Sequence, residues 1–242
     1  MGNTKLANPA PLGLMGFGMT TILLNLHNIG MFPMDGIILA MGIFYGGIAQ
    51  IFAGLLEYKK GNTFGLTAFT SYGSFWLTLV AILLMPKMGL AEAANAHFLG
   101  VYLGLWGVFT LFMFFGTLKA NRALQFVFLS LTVLFALLAI GHLADNEGIV
   151  HVAGWVGRVC GASATFIVGS LLLAASSWAF YHLAGTHPEQ LFLLYGVVGL
   201  CVGVVGAVPY VMVRAFPPEV RFTGISFSYN VSYAIFGGLT PI

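Results

Sequence analysis

The sequence predicts an all-α integral membrane protein, and three observations carry that prediction. Of 242 residues, 59% are apolar and only 7% are charged, where an ordinary soluble domain carries roughly 25% charge. Apolar runs of about 20 residues recur along the chain, the length one helix needs to cross a bilayer and about twice that of a barrel strand. The few charged residues are gathered into the segments between those runs. Mean hydropathy is +0.96. A net charge of +2 confined to loops gives no footprint for nucleic acid, so membrane lipid is the expected surrounding.

The chain opens on a polar leader, Met1 to Ala7, followed by Asn8-Pro9-Ala10-Pro11-Leu12-Gly13-Leu14. The leader lacks the charged stretch, short apolar core and small-residue cleavage site of a signal peptide, and is expected to stay on the chain. Two prolines within three residues do not both fit a helix interior, whereas Pro11 suits a first turn, where a missing N–H costs nothing. A first helix is therefore expected over about 12–30. Its mouth, rimmed by Asn8 and Pro9, carries unpaired N–H groups and the positive end of the helix dipole, so it suits an anion. A plain helix start accounts for the same residues.

Further helices are expected at about 36–57, 65–85, 97–118 and 123–142, and a sixth apolar run starts near Ile149. Lys5, Lys59, Lys60, Lys119 and Arg122 fall on one side of the membrane. The alternate loops hold Asp35, then Lys87 with Glu92, then Asp145 with Glu147. The positive-inside rule puts the N-terminus and the basic loops in the cytoplasm. The first, third and fifth helices then begin at that face, where their dipoles favour anions. The spacing resembles three helix pairs, without a clear sequence repeat.

The second helix carries one polar and small-residue face: Gly42, Gly46, Gln50, Ala53 and Glu57. Small residues let helices approach closely in lipid. Gln50 must face protein or water, because an unpaired amide in hydrocarbon is costly; Glu57, at the cytoplasmic end, is expected to stay hydrated. This face is either a packing seam or a polar patch on a solute path. The third helix opens on Gly61-Asn62-Thr63-Phe64-Gly65 and continues through Thr67, Thr70, Ser71, Tyr72 and Ser74. Those hydroxyls either bond back to their own helix or line a wet passage. Gly100, Gly104 and Gly107 read as packing in the fourth helix. His27, His97, His142 and His151 read as interfacial side chains near the outer face, without metal-ligand context. Cys160 and Cys201 lie in apolar runs and read as packed thiols. No catalytic constellation, phosphate loop or cofactor motif is present, so neither an enzyme nor a bound cofactor or metal is expected.

Residues 1 to about 164 resemble the bacterial acetate uptake transporter family. The likeness is carried by Asn8 to Leu14, the Gly46-to-Glu57 run, and Gly61-Asn62-Thr63-Phe64-Gly65 leading to Ser71-Tyr72-Gly73-Ser74-Phe75-Trp76. The resemblance implies a six-helix bundle and a homohexamer in the inner membrane of a bacterium, with a pore through each protomer. It also implies transport of acetate, succinate and other small carboxylates, proton-coupled or channel-like. In that family bulky apolar side chains narrow the pore; the matching positions are Phe17, Tyr72 and Leu131. Asn8, Pro9, Gln50, Glu57, Asn62, Thr63 and Ser71 are the candidate substrate path.

From about 165 onward the chain instead resembles a fragment of the C-terminal half of a major facilitator superfamily protein, in its metabolite–proton symporter branch. The likeness is carried by Gly206-Ala207-Val208-Pro209-Tyr210, Arg214 to Arg221, and Phe222 to Asn230. Two domains are expected, 1–164 and 165–242, with further helices at about 191–213 and 222–240. The run Ile149 to Ala184 is too long for one span and short for two, with Arg158 inside it, so a distorted helix is expected there. The chain should leave the bundle after about Ala164, and Arg158 should reach a face or a polar partner, since a bare charge in hydrocarbon is costly. A fusion product that inserts without transporting, or a symporter of the major facilitator type, are the alternatives; the end of the chain at Thr240-Pro241-Ile242, within an apolar run, prompts the first.

Overall fold

The computed structural model describes residues 7–183 and, beyond them, Gln190, Leu193 and 196–198. The leader up to Leu6, Cys201, Arg214, Arg221, the expected helix at about 222–240, that at about 191–213 apart from Leu193 and 196–198, and the motifs compared with the major facilitator superfamily lie outside the described residues. The chain divides into two compact units, Met1–Val168 and Gly169–Ile242.

The described residues are helical throughout, apart from turns. The helices are α1 (Ala10–Asn28), α2 (Gly36–Lys59), α3 (Thr63–Leu84), α4 (Ala96–Gly116), α5 (Arg122–Leu143) and α6 (Glu147–Leu183). Each after α1 starts on an Asp or Asn whose side-chain oxygen accepts an otherwise unpaired N–H of the first turn. Asp35 accepts from Ile37, Asn62 from Gly65, Asn95 from Phe98, Asn121 from Leu124 and Asn146 from Ile149, at 2.8–3.2 Å. At α1 the prolines take the start: Pro9 is the cap, Pro11 lies in the first turn, and the Asn8 side chain accepts from the Ala10 N–H at 3.3 Å.

Among the described residues five helices, α2 to α6, are long and apolar enough to cross a membrane. α1 has nearly the same length as α4 but dilutes its apolar residues with Thr20, Thr21, Asn25, His27 and Asn28, and it buries the first three. Of the six helices of the expected bundle, α1 is thus the more polar one. Within α2, Gly42–Ala49 is wound as a π-helix, a local widening of the turn that recurs at functional sites.

Helix packing in the first unit follows the small residues. A side chain at Gly18 would stand 2.8 Å from the Gly161 carbonyl oxygen, and one at Gly161 would stand 2.7 Å from that of Gly18. α1 and α6 thus touch backbone to backbone. Gly100 sets α4 close to α5, where a side chain would stand 2.9 Å from Leu143 and 3.1 Å from the Ala139 carbonyl oxygen, and Gly107 lies 3.3 Å by the same measure from Phe135 Cβ. All five residues of the α2 face, Gly42 to Glu57, are buried. Thr70, Ser74 and Thr78 donate to carbonyls four residues back, at 2.6–3.0 Å, so that share of the α3 hydroxyls is spent on the helix itself.

α6 runs as one uninterrupted helix of 37 residues, about 55 Å long against a hydrocarbon core of about 30 Å. The helix keeps the core past Ala164, with Val168 still in the buried cluster of the first unit. Arg158 is buried with its guanidinium 4.7 Å above the Trp155 ring, and its Nη1 makes no hydrogen bond among the described residues. The Trp155 ring face is therefore the contact its charge makes here. Cys160 is a packed thiol whose Sγ lies 3.5 Å from the Val127 carbonyl oxygen. In the second unit Trp178 and His182 stack at 4.4 Å along α6.

Candidate functional site

Three levels of the first unit carry the candidate site. At the end that holds Lys59, Lys60 and Arg122, the mouths of α1 and α3 are tied together. Lys60 Nζ donates to Asn8 Oδ1 at 2.9 Å and lies 3.5 Å from Glu57 Oε1. Asn62 Nδ2 donates to Glu57 Oε2 at 2.6 Å while its own oxygen caps Gly65. Glu57 has no exposed surface, which corrects its expected hydration: Lys60 and Asn62 fold back over it and replace water with charge-assisted hydrogen bonds. Pro9 is buried beside this network, and Thr63 opens α3 exposed to it.

The middle level is apolar. Phe17 of α1, Tyr72 of α3 and Leu131 of α5 are all buried, at 6%, 3% and 3% exposure, and belong to one cluster. The Phe17 and Tyr72 rings lie 6.1 Å apart, and Phe109 and Phe128 flank Tyr72 at 5.6 and 6.0 Å. The Tyr72 hydroxyl donates to Thr110 Oγ1 at 3.0 Å, and Thr110 donates on to the Trp106 carbonyl at 2.7 Å. Ser71 is half-buried and sits about 100° round the helix from Tyr72, so it does not share that face.

Polar atoms adjoin this apolar level. Gln50 Oε1, Thr21 Oγ1 and Trp76 Nε1 are buried without a hydrogen bond among the described residues. Thr21 and Trp76 follow Phe17 and Tyr72 by four residues, one turn onward on the same helix faces. Gln50 packs along α1, its Cβ 3.8 Å from where a side chain at Gly16 would begin. The sequence named Gln50 but not Thr21 or Trp76; the helical spacing from Phe17 and Tyr72 was the signal available.

The opposite end opens into a cavity of about 650 Å³. Phe75, Leu103 and Leu138 are among its apolar lining, and His27, His142, His151, Asp145 and Glu147 among its titratable groups. The sequence reading took these histidines singly, as interfacial side chains. The fold gathers three of them because the end of α1, the end of α5 and the start of α6 share one face of the bundle. Asp145 is engaged by His97 Nε2 at 3.2 Å.

The pattern of the GPR1/FUN34/yaaH family matches residues 1–186, further along the chain than the expected end of the likeness near 164. The succinate-acetate/proton symporter SatP of Escherichia coli K12 is 84% identical over 167 residues, covering 69% of this chain and 89% of that protein. Acetate permease A of Emericella nidulans is 33% identical over 202 residues, covering 76% of this chain and 67% of that protein. Among solved structures, that of the bacterial acetate channel SatP matches with a TM-score of 0.70 at 81% identity, covering 71% of this chain and 95% of the other.

Proposed function

The chain belongs to the GPR1/FUN34/yaaH family, and on that premise we propose that its first unit carries small carboxylates, acetate and succinate among them, across a bacterial inner membrane together with protons. The observation that carries this reading is the 84% identity to a succinate-acetate/proton symporter over nearly the whole of that protein. Its activity is transport rather than catalysis.

The path we propose runs from the mouth formed by Asn8, Pro9, Glu57, Asn62 and Thr63, past Gln50 and the half-buried Ser71, to a constriction of Phe17, Tyr72 and Leu131. Their common burial in one cluster supports that assignment, as do the unpaired polar atoms of Gln50, Thr21 and Trp76 close by. Apart from Glu57 at one mouth, the first five helices carry no carboxylate in their spans. Proton coupling in this reading is carried by the acid itself. The family resemblance and the loop charges support a homohexamer with the N-terminus in the cytoplasm.

The same reading takes residues from about 165 onward as a fused segment of major facilitator type. The close of the first compact unit at Val168 supports it. Removing residues 184–242 should then leave acetate uptake intact, and loss of uptake from a folded truncated protein would contradict the division. The activity itself is tested by labelled acetate uptake into proteoliposomes with and without an inward proton gradient. Saturable, gradient-stimulated uptake is expected; its absence would end the reading.

A further inference from the structure

We propose that the histidine-lined cavity is a proton-dependent carboxylate station, in which His27, His142 and His151 hold the incoming anion as imidazolium groups and give it the proton it crosses with. The proposal rests on the carboxylate-transport reading and adds to it a site and a source for the proton.

The charge balance of the cavity sets the sign. From α1 comes His27; from α5, His142; from the turn after it, Asp145; from α6, Glu147 and His151. α4 contributes His97, which is occupied with Asp145, and α3 contributes only apolar side chains. With neutral imidazoles the lining is negative and repels a carboxylate. Imidazole changes charge between about pH 5 and 8, so acid reverses the balance.

The geometry suits the task. His27 Nδ1 lies 3.0 Å from the Phe32 carbonyl oxygen, which only accepts, so Nδ1 holds the hydrogen of this contact. The His151 Nε2 lies 3.5 Å from where a side chain at Gly30 would begin. Gly30, with φ at +74°, makes the turn that brings it against this imidazole.

The transfer balances. An imidazolium N–H bond breaks, a carboxylic O–H bond forms, and the neutral imidazole is recharged from external water. In water this step is uphill by about two pKa units. At the apolar floor of Phe75, Leu103 and Leu138, the neutral acid and neutral imidazole are favoured over the ion pair, because burial penalises charge.

The test measures KM for external acetate in proteoliposomes at about pH 5.5 and about pH 7.5. It compares the unsubstituted protein with the triple variant His27→Gln, His142→Gln, His151→Gln at each pH, so that the fraction of undissociated acid cancels. The triple variant should raise KM about tenfold more at the acid pH than at the neutral one. Glu147→Gln, at an exposed position, should lower KM at the neutral pH, and it serves if the triple variant fails to fold. An equal KM ratio at both pH values, or no effect of Glu147→Gln, overturns the station alone. Absence of saturable uptake by the unsubstituted protein overturns the transport reading and the station with it.

Discussion

The rings of Phe17 and Tyr72 lie 6.1 Å apart at an angle of 52°, bringing the middle of α1 against the middle of α3. That separation is within the range of favourable aromatic pairs. A solute passing there must shed water or displace a ring. The Tyr72 ring is not free to swing without loss, because its hydroxyl is tied to Thr110.

Tyr72→Phe removes that tie and leaves the ring. One buried hydrogen bond is lost, about 1 kcal/mol, while Thr110 keeps its bond to the Trp106 carbonyl. A small fall in Tm is expected, with an unchanged acetate-to-lactate flux ratio. A changed ratio would mean that the hydroxyl itself meets the solute.

Glu57→Gln tests the mouth. The neutral side chain keeps an oxygen for Asn62 but turns a donor toward Lys60, so a charge-assisted contact is lost. Thermal stability in detergent should fall by about 1.5–3 kcal/mol, and Glu57→Ala should cost more. Unchanged Tm in both variants would show that the network is not holding α1 to α3.

Much of this architecture is legible in the sequence, because hydrophobic length and Asn caps are local signals. The first helix was expected at about 12–30 and runs over Ala10–Asn28, and Gly100 and Gly107 of α4 pack against α5 as their spacing implies, whereas Gly104 has room for a methyl group. What was not legible depends on contacts between distant segments. Glu57 looked hydrated because it stands at the cytoplasmic end of its helix, and nothing local says that Lys60 and Asn62 turn back over it. A run of 36 residues suits neither one span nor two, but backbone hydrogen bonding within a helix has no such limit, and α6 continues through it.

The backbone contact of α1 with α6 predicts a contrast between two glycines. Gly161→Val places atoms 2.7 Å from the Gly18 carbonyl oxygen and 2.9 Å from Ile22, so the helices must part, at about 1–3 kcal/mol. Gly104→Ala meets nothing nearer than Ala139 at 3.7 Å and should be tolerated. Equal effects on Tm and on monodispersity would contradict the seam.

Leu131→Ala bears most directly on the central claim, that carboxylates pass between Phe17, Tyr72 and Leu131. A Leu131 that only fills a core should cost about 2–5 kcal/mol on truncation and leave the size limit alone. At a constriction the same change widens the path. The decisive measurement is the flux of labelled acetate and of labelled lactate through matched proteoliposomes of the unsubstituted protein and of Leu131→Ala. The account predicts that lactate flux rises relative to acetate in the variant. An unchanged ratio, with a large fall in Tm, would contradict it and place Leu131 in the core alone.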